Sequence, residues 1–202
     1  VDGDLTSSIV TTGTISTIPG TYTITYKVTD SSGNESSAER TINVIDNVGP
    51  VITLETNGNS TWAKTQSTKV TVSDNVAVNN DTLKYIWTTS ATEPGESLFT
   101  SLYSNNATIT SPVGVSGNYY LYVMAKDTSG NKTVLKSNVF NIDNTVPTCG
   151  TITGASTSWT SSDRTISVVC TDNAGCSQSS FSKTFNTTLQ TSNITISDIV
   201  GN

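Results

Sequence analysis

The sequence predicts an all-β protein built from tandem β-sandwich modules, of which the first and the last are incomplete. Three observations lead to this prediction. No window shows helical periodicity, whereas alternating apolar and polar residues recur along the chain. The composition is rich in Thr and Val, which suit half-buried pleated surfaces and form helices poorly. One strand–turn–strand pattern occurs twice, at residues 20–34 and 117–131, and its copies lie 97 positions apart, the size of one sandwich domain.

Each copy of this pattern predicts a hairpin with one face on a core and the other in water, because side chains alternate across a strand. An Asp-x-Ser-Gly-Asn turn closes each hairpin; its Gly and Asn tolerate positive φ, and its Asp accepts backbone N–H bonds. The outward face of the second copy, with Tyr120, Tyr122 and Met124, is unusually apolar. The predicted inward positions are Tyr22, Ile24, Tyr26 and Val28 in the first copy, and Tyr119, Leu121, Val123 and Ala125 in the second.

Two Asp-Asn segments that lead to a proline divide the chain into modules. These joints, residues 46–50 and 143–147, are again 97 positions apart, and each Pro begins a strand at a position where its missing N–H is tolerable. We therefore predict modules at residues 1–46, 47–143 and 144–202. The first is expected to be the C-terminal part of a module whose other strands lie upstream. The second is expected to be complete, and the third to lack its final strand.

Composition and charge exclude several classes of function. The 202-residue chain has a formal net charge of −6 and only 13% charged residues, which excludes the basic surface that nucleic-acid binding requires. No apolar run approaches the length of a membrane span. Without His the chain has no ordinary Ser or Cys nucleophile–base pair, and Glu93 and Glu96 flank a Pro-Gly loop. We predict that the chain is not an enzyme.

The motifs resemble a known family. The segments GTYTITYKVTDSSGN and YYLYVMAKDTSGN, the Asp-Asn joints and the opening VDGDLTSSI are similar to bacterial immunoglobulin-like repeats of Gram-positive cell-surface and secreted proteins. This resemblance covers nearly the whole chain and implies immunoglobulin-like sandwiches in an extracellular, cell-surface or secreted setting. Tyr22 and Tyr119 then match the tyrosine corner of such sandwiches.

The resemblance also implies a function. Such repeats serve as structural stalks and spacers in adhesins and cell-wall proteins, where the partners are neighbouring modules of the same polypeptide. An alternative is a module that binds a cell-wall or host glycan or a host protein, through the aromatic residues Tyr103, Tyr120 and Tyr122, which we expect to be exposed. A second alternative is an accessory domain of an extracellular glycoside hydrolase.

Aspartates at the predicted joints suggest metal sites. In an immunoglobulin-like sandwich, the loop after the second strand and the penultimate turn share the pole where the preceding joint enters. Three carboxylates at one pole are ligands that Ca²⁺ prefers, although Asp-Asn and Asp-x-x-Gly-Asn are such common turns that they favour an Asp that caps its own turn and faces water. The predicted sets are Asp46, Asp74 and Asp127 at the first joint, Asp143, Asp172 and Asp198 at the second, and Asp2, Asp4 and Asp30 in the first module.

The three cysteines all follow residue 148 and suggest an oxidising compartment. Cys170 occupies the position of Val72 on an inward face, and the residue expected across the sandwich, near Ile196, is not Cys. A short Cys170–Cys176 disulfide is the first choice. Cys149 would then pair with a Cys on the absent final strand, as related repeats suggest; a Cys149–Cys170 bridge between adjacent strands is the alternative.

The tryptophans have two interpretations. Trp62, Trp87 and Trp159 would suit a sugar-stacking platform. However, Trp62 and Trp159 each stand 16 positions after a joint Asp, which favours a shared structural place. Trp87 alternates with Tyr85 along a predicted strand, which favours core packing.

Overall fold

The structure is a computed structural model that describes residues 3–156, 161–186 and 193–202. It shows an all-β protein of the immunoglobulin-like sandwich type, as the sequence predicts. Contacts group the chain into two compact units whose boundaries differ from those of the three predicted modules, and the division into three modules stays a prediction. The first unit contains Val1–Val51, Val72–Thr82 and Ala125–Thr133, and the second contains Ile52–Thr71, Leu83–Met124 and Val134–Asn202.

The first sheet is antiparallel, with the strand order β1-β2-β3. A single 3-10 turn, Thr6–Ser8, precedes its strands β1 (Val10–Thr12), β2 (Gly20–Thr29) and β3 (Glu35–Val44). The hairpin of β2 and β3 pairs its residues without a break from Gly20 opposite Val44 to Thr29 opposite Glu35. Ile24 is buried and the other predicted inward residues are half-buried, which confirms the inward face of this copy.

The middle of the chain forms two sheets. One has the order β4-β6-β9, and the other has the order β5-β12-β10-β7-β8, with β11 also paired to β10. Val70, Leu83, Leu121, Val123 and Ile142 are among the fully buried side chains of this region. The strands are β4 (Val51–Leu54), β5 (Asn59–Ala63), β6 (Ser67–Ser73), β7 (Val78–Thr88), β8 (Ser101–Leu102), β9 (Thr108–Thr110), β10 (Gly117–Asp127), β11 (Lys132–Lys136) and β12 (Phe140–Ile142), and a 3-10 turn spans Glu96–Leu98.

Strand β10 is buried on both faces, contrary to the expectation that Tyr122 is exposed. Tyr122 and Met124, on its apolar outward face, pack against Phe99, which follows the Glu96–Leu98 turn. These three side chains form a small core. Only 1% of Tyr122 is exposed, and its hydroxyl donates to Ala91 O at 2.7 Å. Tyr103 is also buried, at 9% exposed, so the expectation of an exposed aromatic patch is wrong for both tyrosines.

The last sheet is antiparallel, with the order β13-β14-β15. Its strands are β13 (Thr148–Thr153), β14 (Arg164–Thr171) and β15 (Ser180–Phe185). Cys170 is buried on β14, as expected from its alternation, and forms a disulfide with Cys176. Cys149 lies directly opposite Cys170 on β13 and is a free, exposed cysteine. The structure therefore contains the pairing that was the first choice from the sequence.

The tyrosine corner is present in the first hairpin. The hydroxyl of Tyr22 donates to the backbone carbonyl of Ile18, four residues upstream, at 2.6 Å. This bond closes the chain segment that enters β2, which is the role of the corner in immunoglobulin-like sandwiches.

Candidate metal centres

The structure brings together two of the three predicted sets of aspartates. The first acidic cluster consists of Asp46, Asp74 and Asp127, and the second consists of Asp143, Asp172 and Asp198. Within each cluster, one carboxylate oxygen from each residue lies within 4.8 Å of the others. Each cluster falls inside one compact unit, the first cluster in the first unit and the second in the second.

The members of a cluster come from segments that are distant in sequence. Asp46 follows β3, Asp74 follows β6, and Asp127 is the last residue of β10. In the second cluster Asp143 follows β12, Asp172 follows β14, and Asp198 forms an isolated bridge with Cys176. The correspondence of the repeats therefore places equivalent aspartates in equivalent surroundings, as the sequence register predicts.

One hydrogen bond, from the backbone N–H of an Asn to Oδ1 of the Asp four positions earlier, recurs in three turns. Oδ1 of Asp30 accepts the backbone N–H of Asn34 at 2.7 Å, and its Oδ2 accepts Nδ2 of Asn34 at 2.8 Å. Asp127 has the same two bonds to Asn131, at 2.8 and 2.7 Å. Oδ1 of Asp198 accepts the backbone N–H of Asn202 at 2.9 Å.

The role of the turn asparagines differs from the sequence expectation. Gly33, Gly130 and Gly201 have positive φ, but among the described residues Asn106 is the only non-glycine residue that does. The asparagine of each turn instead donates to the Asp carboxylate.

Two of these asparagines, Asn131 and Asn202, also reach the preceding joint, which the sequence analysis missed. Nδ2 of Asn131 donates to the carbonyl of Asp46 at 3.1 Å, and Nδ2 of Asn202 donates to the carbonyl of Asp143 at 3.3 Å. Asn75 adds a bond from its Nδ2 to Oδ1 of Asp46, at 3.2 Å. The recurrence of Asn four positions after each turn Asp was the available signal.

In the four remaining cluster aspartates, Oδ1 accepts a backbone N–H group and caps the local turn. Oδ1 of Asp74 accepts the backbone N–H groups of Val76 and Ala77, at 2.8 and 3.0 Å. In the other three aspartates, Oδ1 accepts the backbone N–H group of the residue two positions later. The donors are Val48 to Asp46 at 3.1 Å, Thr145 to Asp143 at 3.0 Å, and Ala174 to Asp172 at 2.8 Å. The turn-capping interpretation is therefore correct for one oxygen of each side chain.

The second oxygen is left over. Oδ2 of Asp46, Asp74, Asp172 and Asp198 is buried and has no hydrogen-bond partner. Asp198 as a whole is only 2% exposed, and Asp143 is fully buried. Buried polar atoms in folded proteins are nearly always paired, because an unpaired one loses its hydration without compensation. Each cluster thus concentrates unpaired anionic oxygens out of contact with water.

Hydrogen bonding keeps two of the buried carboxyl groups acidic. Burial raises the pKa of Asp127, but the bonds from the side chain and backbone of Asn131 outweigh it and lower the pKa below its ordinary value. For Asp198 burial likewise raises the pKa, and the bonds from Asn202 and Val200 bring it below the ordinary value. Hydrogen bonding thus favours the charged form of both carboxyl groups.

The disulfide lies beside the second cluster. Asp172 stands inside the loop that the Cys170–Cys176 bond closes. Backbone bonds from Ser177 N–H to Ser197 O, at 3.0 Å, and from Ile199 N–H to Gly175 O, at 2.9 Å, fasten this loop to the segment around Asp198. The first cluster has Val72 where the second has Cys170, so only the second is cross-linked covalently.

The third predicted set is described only in part, since Asp2 lies outside the described residues. Asp4 accepts bonds from the backbone and hydroxyl of Thr6, and Asp30 binds its own turn. The described residues of this set therefore form local caps.

Asp30 allows a prediction about pH. The bonds from the side chain and backbone of Asn34 lower the pKa of Asp30 below its ordinary value of 3.8. Stability from this turn is therefore fully present above about pH 4 and is lost as the pH falls through the lower pKa of the folded state. We expect Asn34→Ala, which removes the side-chain bond, to raise the pKa of Asp30 toward 3.8. NMR titration of the Asp30 carboxyl carbon measures this, and a pKa at or above 3.8 in the unmodified chain would contradict the prediction.

A comparison with known protein families finds a match for the beginning of the chain. Residues 1–44 match the family model described as "Bacterial surface protein, Ig-like domain". This segment is thus similar to a bacterial immunoglobulin-like domain, in agreement with the resemblance of its turn and strand motifs. A search of curated proteins found no match. Among the described residues, no helix has the length and apolarity needed to cross a membrane.

Proposed function

We propose that this chain is a non-catalytic stalk or spacer segment of an adhesin-type bacterial protein, located at the cell surface or secreted. The observation that carries the proposal is the recurrence of one hydrogen-bonded turn at Asp30, Asp127 and Asp198. Repetition of a single structural unit along a chain sets length and spacing rather than building one specific cleft. The match of residues 1–44 to a bacterial surface domain supports the setting.

The joints suit this role. Each predicted joint contains a proline, and Pro-containing joints restrict bending more than Gly/Ser linkers do. Pro50 is fully buried, and the backbone of Gly49 lies so close to β11 that an added Cβ would come within 2.8 Å of the Thr133 hydroxyl. The first joint is thus packed against its own unit and is not a free linker.

Surface display tests the spacer function. One or two copies of residues 1–202 would be placed between a cell-wall anchor and an epitope tag on a bacterial surface, with a Gly/Ser linker of equal residue number as the control. We expect antibody binding to the tag to rise with copy number and to exceed that of the control, because a flexible coil spans only about 5–6 Å times the square root of its length. Equal antibody binding for the chain and the coil would contradict the proposal.

One observation favours a binding module as a second candidate. A cavity of about 250 Å³ is lined by Tyr85, Ile86, Trp87, Ser101, Thr110 and Pro112. The indole Nε1 of Trp87 is buried without a hydrogen-bond partner, while its ring packs edge-on against Phe140 at 5.2 Å. Ligand pockets are usually about 300–1,000 Å³, so the cavity is small for a glycan. Of the other two tryptophans, Trp62 is half-buried on β5 and Trp159 lies outside the described residues.

The display experiment also distinguishes the binding module from the spacer. If the displayed chain made cells adhere to surfaces coated with glycan or host protein, and Trp87→Ala abolished that adhesion, the binding module would replace the spacer as the better account.

A further inference from the structure

We propose that each acidic cluster binds one Ca²⁺ ion, which pairs the buried Oδ2 atoms of Asp46 and Asp74 in the first cluster and those of Asp172 and Asp198 in the second. This inference goes beyond the spacer function and rests on the side-chain geometry of the clusters alone. A ligand for these clusters must pair the buried oxygens, balance their charge and fit the distances between the donor atoms.

The buried oxygens supply the first argument. Turn capping alone explains Oδ1 of Asp46, Asp74 and Asp172, but it leaves their Oδ2 atoms buried and unpaired. Oδ2 of Asp198 is also buried and unpaired, although Oδ1 of this residue accepts two backbone bonds; Asp198 is only 2% exposed. A shared ligand at each cluster would pair all of these atoms at once.

Charge supplies the second argument. Three carboxylates whose oxygens lie within 4.8 Å repel one another strongly when water is excluded. Either protonation or a bound cation relieves this repulsion. A proton on one carboxylate would satisfy a single buried oxygen, whereas a cation between the carboxylates would satisfy the unpaired oxygens of a cluster together.

The donor set selects the ion. All of the available donors are oxygens, since the chain has no His and the two cysteines beside Asp172 form a disulfide. Ca²⁺ binds oxygens at about 2.3–2.6 Å, so two of its ligands lie at most about 5 Å apart, and oxygens within 4.8 Å can share one ion. Mg²⁺ requires a near-ideal octahedron at about 2.0–2.1 Å and retains several waters. Donors contributed by three separate segments fit the flexible coordination of Ca²⁺ better.

Calorimetric titration of the chelator-treated 202-residue chain with CaCl₂ tests the inference. We expect two bound ions and a melting temperature several degrees higher in Ca²⁺ than in chelator, because a ligand that binds only the folded state stabilises it. Absence of binding heat together with a melting temperature indifferent to Ca²⁺ would overturn the proposal. An equal rise with Mg²⁺ at the same concentration would overturn the choice of ion.

Two isosteric variants test the positions. Asp74→Asn and Asp172→Asn keep an Oδ1 that can cap the turn and replace the charged, unpaired Oδ2 by an amide nitrogen. We expect each to reduce the stoichiometry from two ions to one, and the double variant to bind none. Two ions bound by the double variant would overturn the assignment.

The sign of the stability effect separates a metal ligand from a turn cap. In chelator, Asp172→Asn removes repulsion and is expected to leave the melting temperature equal or higher; in Ca²⁺ the same variant is expected to melt below the unmodified chain. A residue that only capped a turn would shift melting equally in both conditions, and that result would overturn the proposal. Asp81→Asn, at an exposed position of β7 outside the clusters, is the control for charge and is expected to keep both ions.

The disulfide offers an internal comparison between the clusters. Because it closes the loop that holds Asp172, the double variant Cys170→Ser, Cys176→Ser is expected to weaken the second site about tenfold or more and to leave the first unchanged. An equal loss at both sites would overturn the assignment of separate ions to separate clusters.

Discussion

Replacement of Phe140 by Ala is expected to lower the free energy of unfolding by about 3–5 kcal/mol, the usual range for truncation of a buried Phe. Phe140 is fully buried on β12, where it pairs with β10 on one side and β5 on the other. Its ring also packs edge-on against Trp87, with centroids 5.2 Å apart. Truncation would therefore leave a cavity whose lining is held by strands on both sides and cannot collapse freely.

Urea denaturation followed by tryptophan fluorescence measures the loss at Phe140. Leu102→Ala is a suitable control in the same sheet, because Leu102 is 67% exposed and should change stability by no more than about 0.5 kcal/mol. A loss at Phe140 as small as that at Leu102 would show that β12 does not lie in the core.

Substitution of Gly58 by Ala is expected to have the second large effect, about 2–5 kcal/mol of destabilisation. Gly58 has a φ of +86°, which an L side chain adopts at a cost of about 1–2 kcal/mol. An added Cβ would also come within 2.5 Å of Asn138 Cβ and 2.8 Å of Val139 O. Since backbone must move to admit it, we expect a further cost of about 1–3 kcal/mol from overpacking.

Gly114 separates the two contributions at Gly58. It lies in the same compact unit, has a φ of +70°, and an added Cβ would meet no atom within 4 Å. Gly114→Ala should therefore show the conformational cost alone. If chemical denaturation gave equal losses for both variants, the close approach of residues 138–139 to Gly58 would be refuted.

The features that the sequence predicted depend on periodicity and repetition. Alternation placed Ile24 and Leu121 on inward faces, and the spacing of the two hairpins placed equivalent aspartates at equivalent points of the fold. The Cys170–Cys176 pair could be ranked first because its loop is short and the position near Ile196 is not Cys. Such inferences need only local patterns and a count of positions.

The features that the sequence did not predict depend on contacts between distant segments. Nothing in the alternation of β10 shows that Phe99 covers Tyr122 and Met124, because that contact is set by the path of the loop before β8. The joint contacts of Asn131 and Asn202 were missed for a similar reason, since each reaches a carbonyl at least 59 positions away. Which carboxylate oxygen remains unpaired also requires atomic positions.

The division of work between the two oxygens of each cluster aspartate has an evolutionary consequence. In Asp74 and Asp172 the oxygen that caps the loop is separate from the buried oxygen that has no hydrogen-bond partner. A change of Asp to Asn, which needs one nucleotide substitution, alters the second atom and spares the first. Under the proposed Ca²⁺ binding, one such substitution would remove the ion from a cluster and keep the capped turn of that aspartate.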